Sequence, residues 1–414
     1  MKVFKFGGAS IKNADAVKNM TKIVQSYSNE NLLVVVSAMG KTTNALEDIL
    51  AKHIESGSVD LNPLKNYHLE ICNELFENNH GIFKMVADLF DLLDSTLKLN
   101  YSYDKLYDQV ISFGEILSST IICEYLNEIG SSIKLIDSRQ YIRTDDNYRN
   151  GHVDWDTTCE HINGLTQDLN NYILLTQGFI GGTSDGFTTT LGREGSDFTA
   201  AIYAHCLNAE SMTVWKDVPG ILNADPKIIS DAKLFNEIPY SEAAEMTYYG
   251  ASVIHPKTIK PLANKNIPLY VRSFDSPDNA GTIIHQCDFK NPISTIIIKN
   301  EQCLVSFHVI DFTFVNEDNL SLIFRELHNL DIKINIMQNS AISFSIVIDY
   351  RKDKLEALIA LLNKHFDIRY NTGLSLITIK NYSDRDIEKY RSGKRILLEQ
   401  QSRNNYRALY AIEA

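Results

Sequence analysis

The stretch Thr190-Leu-Gly-Arg-Glu-Gly-Ser-Asp197 places a guanidinium, a carboxylate, hydroxyls and glycines just beyond an apolar run, Tyr172-Ile-Leu-Leu-Thr176. A small zwitterion needs such a set. An Arg fork suits a carboxylate, an acid suits an ammonium, and hydroxyls fix orientation. Read alone, the same residues would also serve as a surface turn.

The chain opens with a second cluster, Met1-Lys-Val-Phe-Lys-Phe-Gly-Gly-Ala-Ser10. Glycines at a strand-to-helix turn, here Gly7 and Gly8, let backbone N–H groups approach phosphate oxygens, and the following helix N-terminus adds positive potential. Lys5 would supply a point charge to a transferring phosphoryl group. Neither G-x-x-x-x-G-K-[ST] nor G-x-G-x-x-G is present, so this is neither common phosphate fingerprint. A plain structural turn reads equally well.

Three more segments have the same character. Ser37-Ala-Met-Gly-Lys-Thr-Thr-Asn44 follows an apolar strand, and either Thr43 or Asn44 would suit the N-cap of the next helix. Ser112-Phe-Gly-Glu115 falls inside a helical pattern, where glycine costs ~1 kcal/mol against alanine. Gly114 therefore marks close approach of backbone or ligand, and Glu115 points either into a site or to solvent. Asp217 ends a strand and leads into the turn-rich loop Val218–Lys227, a position from which it would orient lysines around phosphates. His255 precedes a proline, isolated from other ligand-type residues, and reads as structural.

Size and composition bound the elements that must hold these groups. A chain of 414 residues exceeds a single core and predicts two domains or three. Its 44% hydrophobic and 22% charged residues are those of an ordinary globular protein. The net charge of −12 argues against a nucleic-acid surface. Six scattered cysteines without CxxC spacing read as buried reduced thiols. No signal-peptide pattern and no run of transmembrane length is visible, so a cytoplasmic protein with no membrane partner is expected.

Short apolar strands at 32–36, 133–137, 172–176, 212–215 and 268–271 alternate with amphipathic segments, including helices at 13–27 and from about 104 to 129. This alternation predicts an α/β domain, a three-layer sandwich with a largely parallel central sheet, over residues 1–290. Ligands of such sheets bind at the C-terminal ends of the strands, where the glycines and polar residues collect. Segment 276–292 reads as a connection. Beyond it, over 295–414, a β-α-β-β-α-β order predicts a ferredoxin-like domain, with 396–414 adding a strand or returning to a sheet.

KFGGAS, VVSAMGKTTN, SFGE, TLGREGSD, VWKDVPGILNADP and YGASVIHP occur in this order and at appropriate spacing. Together they resemble the aspartate kinases of the amino-acid-kinase superfamily, through about residue 290. The C-terminal region resembles their ACT regulatory module. The resemblance implies transfer of the ATP γ-phosphoryl group to the β-carboxylate of L-aspartate, the first step toward lysine, threonine and methionine. It implies Lys5 and Asp217 as catalytic groups, and Gly7, Gly8, Ser37, Lys216, Leu222 and Lys227 on the ATP side. Thr43, Glu115, Arg193, Ser196 and Asp197 would form the aspartate pocket. Mg²⁺ would arrive with ATP, held by phosphates and waters rather than by a protein metal site. A homodimer through the ACT modules is implied. An amino-acid effector, lysine or threonine, and a purely structural role for the module are both compatible with the loop 311–318, which lacks the glycine usual before the first ACT helix.

Three positions depart from the family pattern. Glu194 replaces a glycine, and its carboxylate is expected to point outward. Ser252 stands where many members have a phosphate-holding lysine, a loss that Lys216 or Lys257 would offset. Leu222 replaces an aromatic of the nucleotide loop. A related kinase of glutamate or acetylglutamate, and a non-catalytic amino-acid sensor of the same fold, are the alternatives.

Overall fold

The computed structural model describes residues 1–414 except 252–253, 290–292, 311–313 and 412–414. The contacts divide the chain into two units, one of residues 1–221, 234–247 and 252–289, the other of 222–233, 248–251 and 290–414.

In the first unit the strands are Lys2–Phe6 (β1), Leu32–Val36 (β2), Ile133–Ile136 (β3), Ile173–Gln177 (β4), Ile180–Gly182 (β5), Thr188–Thr190 (β6), Ser211–Lys216 (β7), Glu237–Pro239 (β8), Leu269–Ser273 (β9) and Thr282–His285 (β10). Eight of them form one sheet in the order β3-β4-β2-β1-β7-β9-β10-β8, and β5 pairs with β6 separately. The neighbours from β3 to β9 are parallel, while β10 runs antiparallel to β9. All five residues of β2 and of β4 are buried. Strands covered on both faces need no polar alternation, which is why they read as continuous apolar runs.

The helices are Ala14–Gln25 (α1), Thr42–Ser56 (α2), Asn62–Leu75 (α3), Ile82–Leu97 (α4), Tyr103–Ile111 (α5), Phe113–Glu128 (α6), Ser138–Tyr141 (α7), Trp155–Asn163 (α8), Thr166–Leu169 (α9), Gly195–Cys206 (α10), Tyr240–Tyr249 (α11) and Pro256–Ala263 (α12). Asn13 caps α1 by accepting from Ala16 N at 2.9 Å, and Val17, Met20 and Val24 bury the face that the spacing marks. They pack in one core with Phe4, Phe6 and Trp215. Lys5 and Lys216, on the alternate positions of β1 and β7, turn to the opposite face, where α10 lies.

The structure differs from the sequence expectations at three points. The helix expected from about 104 to 129 is two, α5 and α6, with Ser112 between them. Neither Thr43 nor Asn44 caps α2, whose N-cap position is Lys41. Cys159 and Cys206 are not reduced thiols but a disulfide joining α8 to α10. Two scattered cysteines far apart in sequence carry no spacing signal, so only the packing of these helices pairs them. Cys72, Cys123 and Cys303 are buried and free. Among the described residues, no helix is long and apolar enough to cross a membrane.

The second unit holds Thr295–Val309 (β11), Glu317–Asn329 (α13), Ile334–Asn339 (β12), Ser343–Asp349 (β13), Lys352–Leu362 (α14), Phe366–Lys380 (β14), Asp384–Arg391 (α15), Ile396–Gln401 (β15) and Asn405–Ala411 (β16). Its sheet runs β12-β13-β11-β14-β16-β15, with neighbouring strands antiparallel throughout. The β-α-β-β-α-β order is present, with α13 and α14 on one core. β11 and β14 are longer than the pattern implies, at 15 residues each. Their register shifts around Gln302, and the far halves extend the sheet to a β15–β16 hairpin covered by α15. The return segment is thus two strands, not one.

Candidate active site

The parallel strands β1, β2 and β7 end beside the N-terminus of α10, and a cleft of about 540 Å³ opens there. Lys5, Gly8, Ser37, Thr43, Glu115, Arg193, Ser196, Asp197 and Lys216 all line it. Residues spread over most of the first unit's sequence converge because strand ends and helix N-termini meet on one edge of a parallel sheet.

Asp197 is the electrostatic centre. Its Oδ1 lies 2.7 Å from Lys5 Nζ and its Oδ2 3.8 Å from Lys216 Nζ. Burial alone would raise this carboxyl, but the two ammonium groups outweigh it and hold it below the usual carboxylate range. Truncating either partner of such a buried pair leaves a charge uncompensated, at a cost of roughly 3–5 kcal/mol.

Glu115 has the opposite balance. It sits in the first turn of α6 and accepts from Ala38 N at 3.2 Å. Burial pushes its carboxyl up to about 8, against the pull of that N–H and of Lys5. Its Oε2 is buried without a hydrogen-bond partner. Gly114 makes this placement feasible, because a Cβ there would lie 2.8 Å from the Ala38 Cβ. Gly8 is under a similar constraint, since a Cβ would come within 2.7 Å of Ala38 O and 2.9 Å of Gly40 O.

Glu194 does not point outward. It occupies the N-cap position of α10 with φ of 53°, lines the cleft, and leaves Oε2 buried without a partner. A left-handed residue before a helix swings its side chain across the helix start, and no sequence pattern announces that turn. With Glu115 it gives the cleft two buried carboxylate oxygens awaiting donors, beside the exposed Arg193.

Other expected residues lie elsewhere. Asp217 is exposed beyond the end of β7 and is not among the residues lining the cleft. Gly7 does not line the cleft, and a Cβ there would make only an ordinary contact, 3.5 Å from Lys5 Nζ. Leu222 and the exposed Lys227 belong to the second unit. Lys257 directs its Nζ to Asn150 Oδ1 at 2.6 Å, so Lys216 is the one of the two candidates that lines the cleft. Ser252 is outside the described residues. His255 caps α12, accepting from Lys257 N at 3.1 Å.

Arg149 is a cleft residue that no sequence motif marks. It lines the same cleft, with φ of 68°, and its guanidinium lies 4.5 Å from the Tyr107 ring centroid and 3.3 Å from Asp104 Oδ1. The buried Asp108 holds it in place. Asp108 Oδ2 accepts from Arg149 N at 2.8 Å and from Thr190 N at 2.9 Å, while Oδ1 accepts from Thr190 Oγ1 at 2.7 Å. One carboxylate therefore ties the Arg149 loop to the start of the TLGREGSD segment. The polar run Asp145–Gly151 signals only a loop; its approach to the cleft depends on this tertiary contact.

Residues 1–273 match the model of the amino acid kinase family. The chain is 32% identical over 354 residues to lysine-sensitive aspartokinase 3 of Escherichia coli K12, covering 84% of this chain and 78% of that one. It is also similar to the crystal structure of E. coli aspartokinase III in complex with aspartate and ADP, in the R-state. The TM-score is 0.85 at 28% identity, over 99% of this chain and 96% of the other. The T-state structure of that enzyme with lysine and aspartate gives a TM-score of 0.82 at 28% identity, over 99% and 95%. On both the family model and the length and identity of these matches, this chain belongs to the amino acid kinase family and, within it, to the aspartokinases.

Proposed function

We propose that the protein transfers the γ-phosphoryl group of ATP to the β-carboxylate of L-aspartate, and that the cleft at the α10 N-terminus is where it does so. The observation that carries this reading is the pairing within one cavity of two ammonium groups, Lys5 and Lys216, with an amino-acid-sized set of Arg193, Glu115, Glu194 and Ser196.

The nucleophile is a carboxylate already ionised at neutral pH, so no general base is required. Catalysis then rests on positioning and on charge compensation over the phosphoryl oxygens. Lys5, held by Asp197, would face the transferring group, with Gly8 offering backbone where a Cβ has no room. Lys216 would neutralise the remaining phosphate charge. Arg193 would grip one substrate carboxylate as a fork and Arg149 the other. Glu115 and Glu194 would receive the ammonium, with Thr43 and Ser196 orienting it. Gly7 shapes the turn. The cleft offers ammonium groups and peptide N–H to phosphate, while Asp197 is already engaged by lysines, so Mg²⁺ fits as a companion of ATP rather than as a resident of the protein. The catalytic assignment of Asp217 and the ATP-side assignments of Ser37, Leu222 and Lys227 rest on the motif alone.

The first unit would then be the catalytic domain and the second an ACT-type regulatory domain that dimerises. The lysine-bound relative makes lysine the first effector to titrate, with threonine as its control.

Hydroxamate formation from Mg-ATP and hydroxylamine tests the reaction, with L-aspartate, L-glutamate and N-acetylglutamate as acceptors. A signal with aspartate alone, lost in Arg193→Ala, supports the proposal. ATP binding with no acyl phosphate from any acid would reduce the protein to a sensor.

A further inference from the structure

Away from the cleft, the far edge of the parallel sheet holds a second chemical group. β8 is the outermost strand and pairs in parallel with β10, Glu237 beside Ile283 and Ile238 beside Ile284. Ile238 and Ile284 are fully buried. Alternation turns Glu237 and His285 to the other face. His285 Nε2 lies 2.9 Å from Glu237 Oε2. Cys287, two residues on, brings its sulfur back to the same place. One ligand atom from each of the three lies within 4.8 Å of the others, the one such group among the described residues.

We infer that Glu237, His285 and Cys287 form a binding site for a single zinc-class divalent transition ion, which ties the edge strand β8 to β10.

The donor set selects the ion. A carboxylate oxygen, an imidazole nitrogen and a thiolate suit Zn²⁺ or Co²⁺, whereas Mg²⁺ takes oxygen ligands. Tetrahedral bonds of about 2.0–2.3 Å place neighbouring donors roughly 3.3–3.8 Å apart. The ends of three side chains need to draw in by about an ångström at most, and the Glu237–His285 hydrogen bond gives way to the ion. Three protein ligands leave the fourth position to water. Cys287 also differs from the other free cysteines, since it is partly exposed and Cys72, Cys123 and Cys303 are buried. The inference does not depend on the proposed kinase reaction.

Cobalt titration of the full chain provides the test, after chelator treatment, with a phosphine reductant and without nucleotide. The expected result is one Co²⁺ per chain with a thiolate-to-cobalt charge-transfer band, displaced by Zn²⁺. Cys287→Ser should remove the band. His285→Ala should weaken zinc binding by more than about tenfold, the loss typical of even an outer-shell partner. Glu237→Gln, which keeps the side-chain shape, provides a second arm should either variant fold poorly, and should also weaken binding. Saturation without the band, or zinc affinity unchanged in folded variants, would overturn the site and leave a hydrogen-bonded surface pair.

Discussion

The two units use sheets in opposite ways. In the first, β1 and β2 have five residues each, and β2 is buried throughout. A sheet covered on both faces can offer a ligand little but its strand ends, and the charged groups gather there. Lys5, Glu115 and Asp197 are all buried at that edge. In the second, β11 and β14 have 15 residues, and the burial of β11 alternates. Its features are surface features, and Phe314, Met337 and Ile342 are exposed near one sheet edge. The Val315 N to Ala341 O bond, 2.9 Å, brings two of these segments together. Chemistry concentrates where backbone ends meet; association suits a sheet with an open side.

The sharpest way to break this contrast is at Lys5. Lys5→Met should lower kcat by about 10³-fold, the scale of losing a charge donor to the transition state, and should also lower the melting temperature by exposing Asp197's imbalance. Unchanged kcat in hydroxamate assays would remove the strand ends from the chemistry. Arg193→Ala should reduce kcat/KM for aspartate by about 100-fold with the melting temperature unaltered, because the side chain is exposed and, on the proposed function, its charge-assisted bonds would be made to substrate. Arg149→Ala is expected to raise the KM for aspartate by about tenfold while kcat holds, a smaller effect since its guanidinium already shares Asp104 and Tyr107.

The pH profile gives a finer test. Burial raises the Glu115 carboxyl to about 8, which favours its neutral form near pH 7, and a neutral acid attracts an ammonium weakly. Raising pH through 8 ionises it, so the KM for aspartate should fall severalfold between pH 7 and pH 9. Glu115→Gln should flatten that dependence; a slope retained in the variant would assign it to another group. On the other side of the contrast, the proposed dimerisation of the second unit predicts that Ile342→Glu weakens self-association in sedimentation experiments and leaves the KM for aspartate unchanged.

The parallel sheet was legible because buried strands write themselves as apolar runs: β2 falls on Leu32–Val36 as its residues indicate. Most of the proposed substrate pocket was legible too, since Lys5, Thr43, Glu115, Arg193, Ser196 and Asp197 sit in recognisable segments and line one cleft. What the sequence concealed depends on backbone torsion and long-range contact. Arg149 and Glu194 reach the cleft through positive φ values of 68° and 53°, which no local composition demands of Arg or Glu. The break at Ser112 lies within a continuous helical pattern. The Cys159–Cys206 pair spans 47 residues.

Helix α10 is buried along nearly its whole length, from Gly195 through Cys206, and packs on β1, β2, β7, α8 and α12. Exposed Arg193 stands two residues before it. Amides of Ala200–Ala204 should therefore exchange with deuterium only when the whole unit opens, while those of Gly192 and Arg193 exchange through local fluctuation. A slow clock and a fast one would then be separated by about two helical turns, leaving the loop at the cleft free to adapt without loosening the helix that follows it.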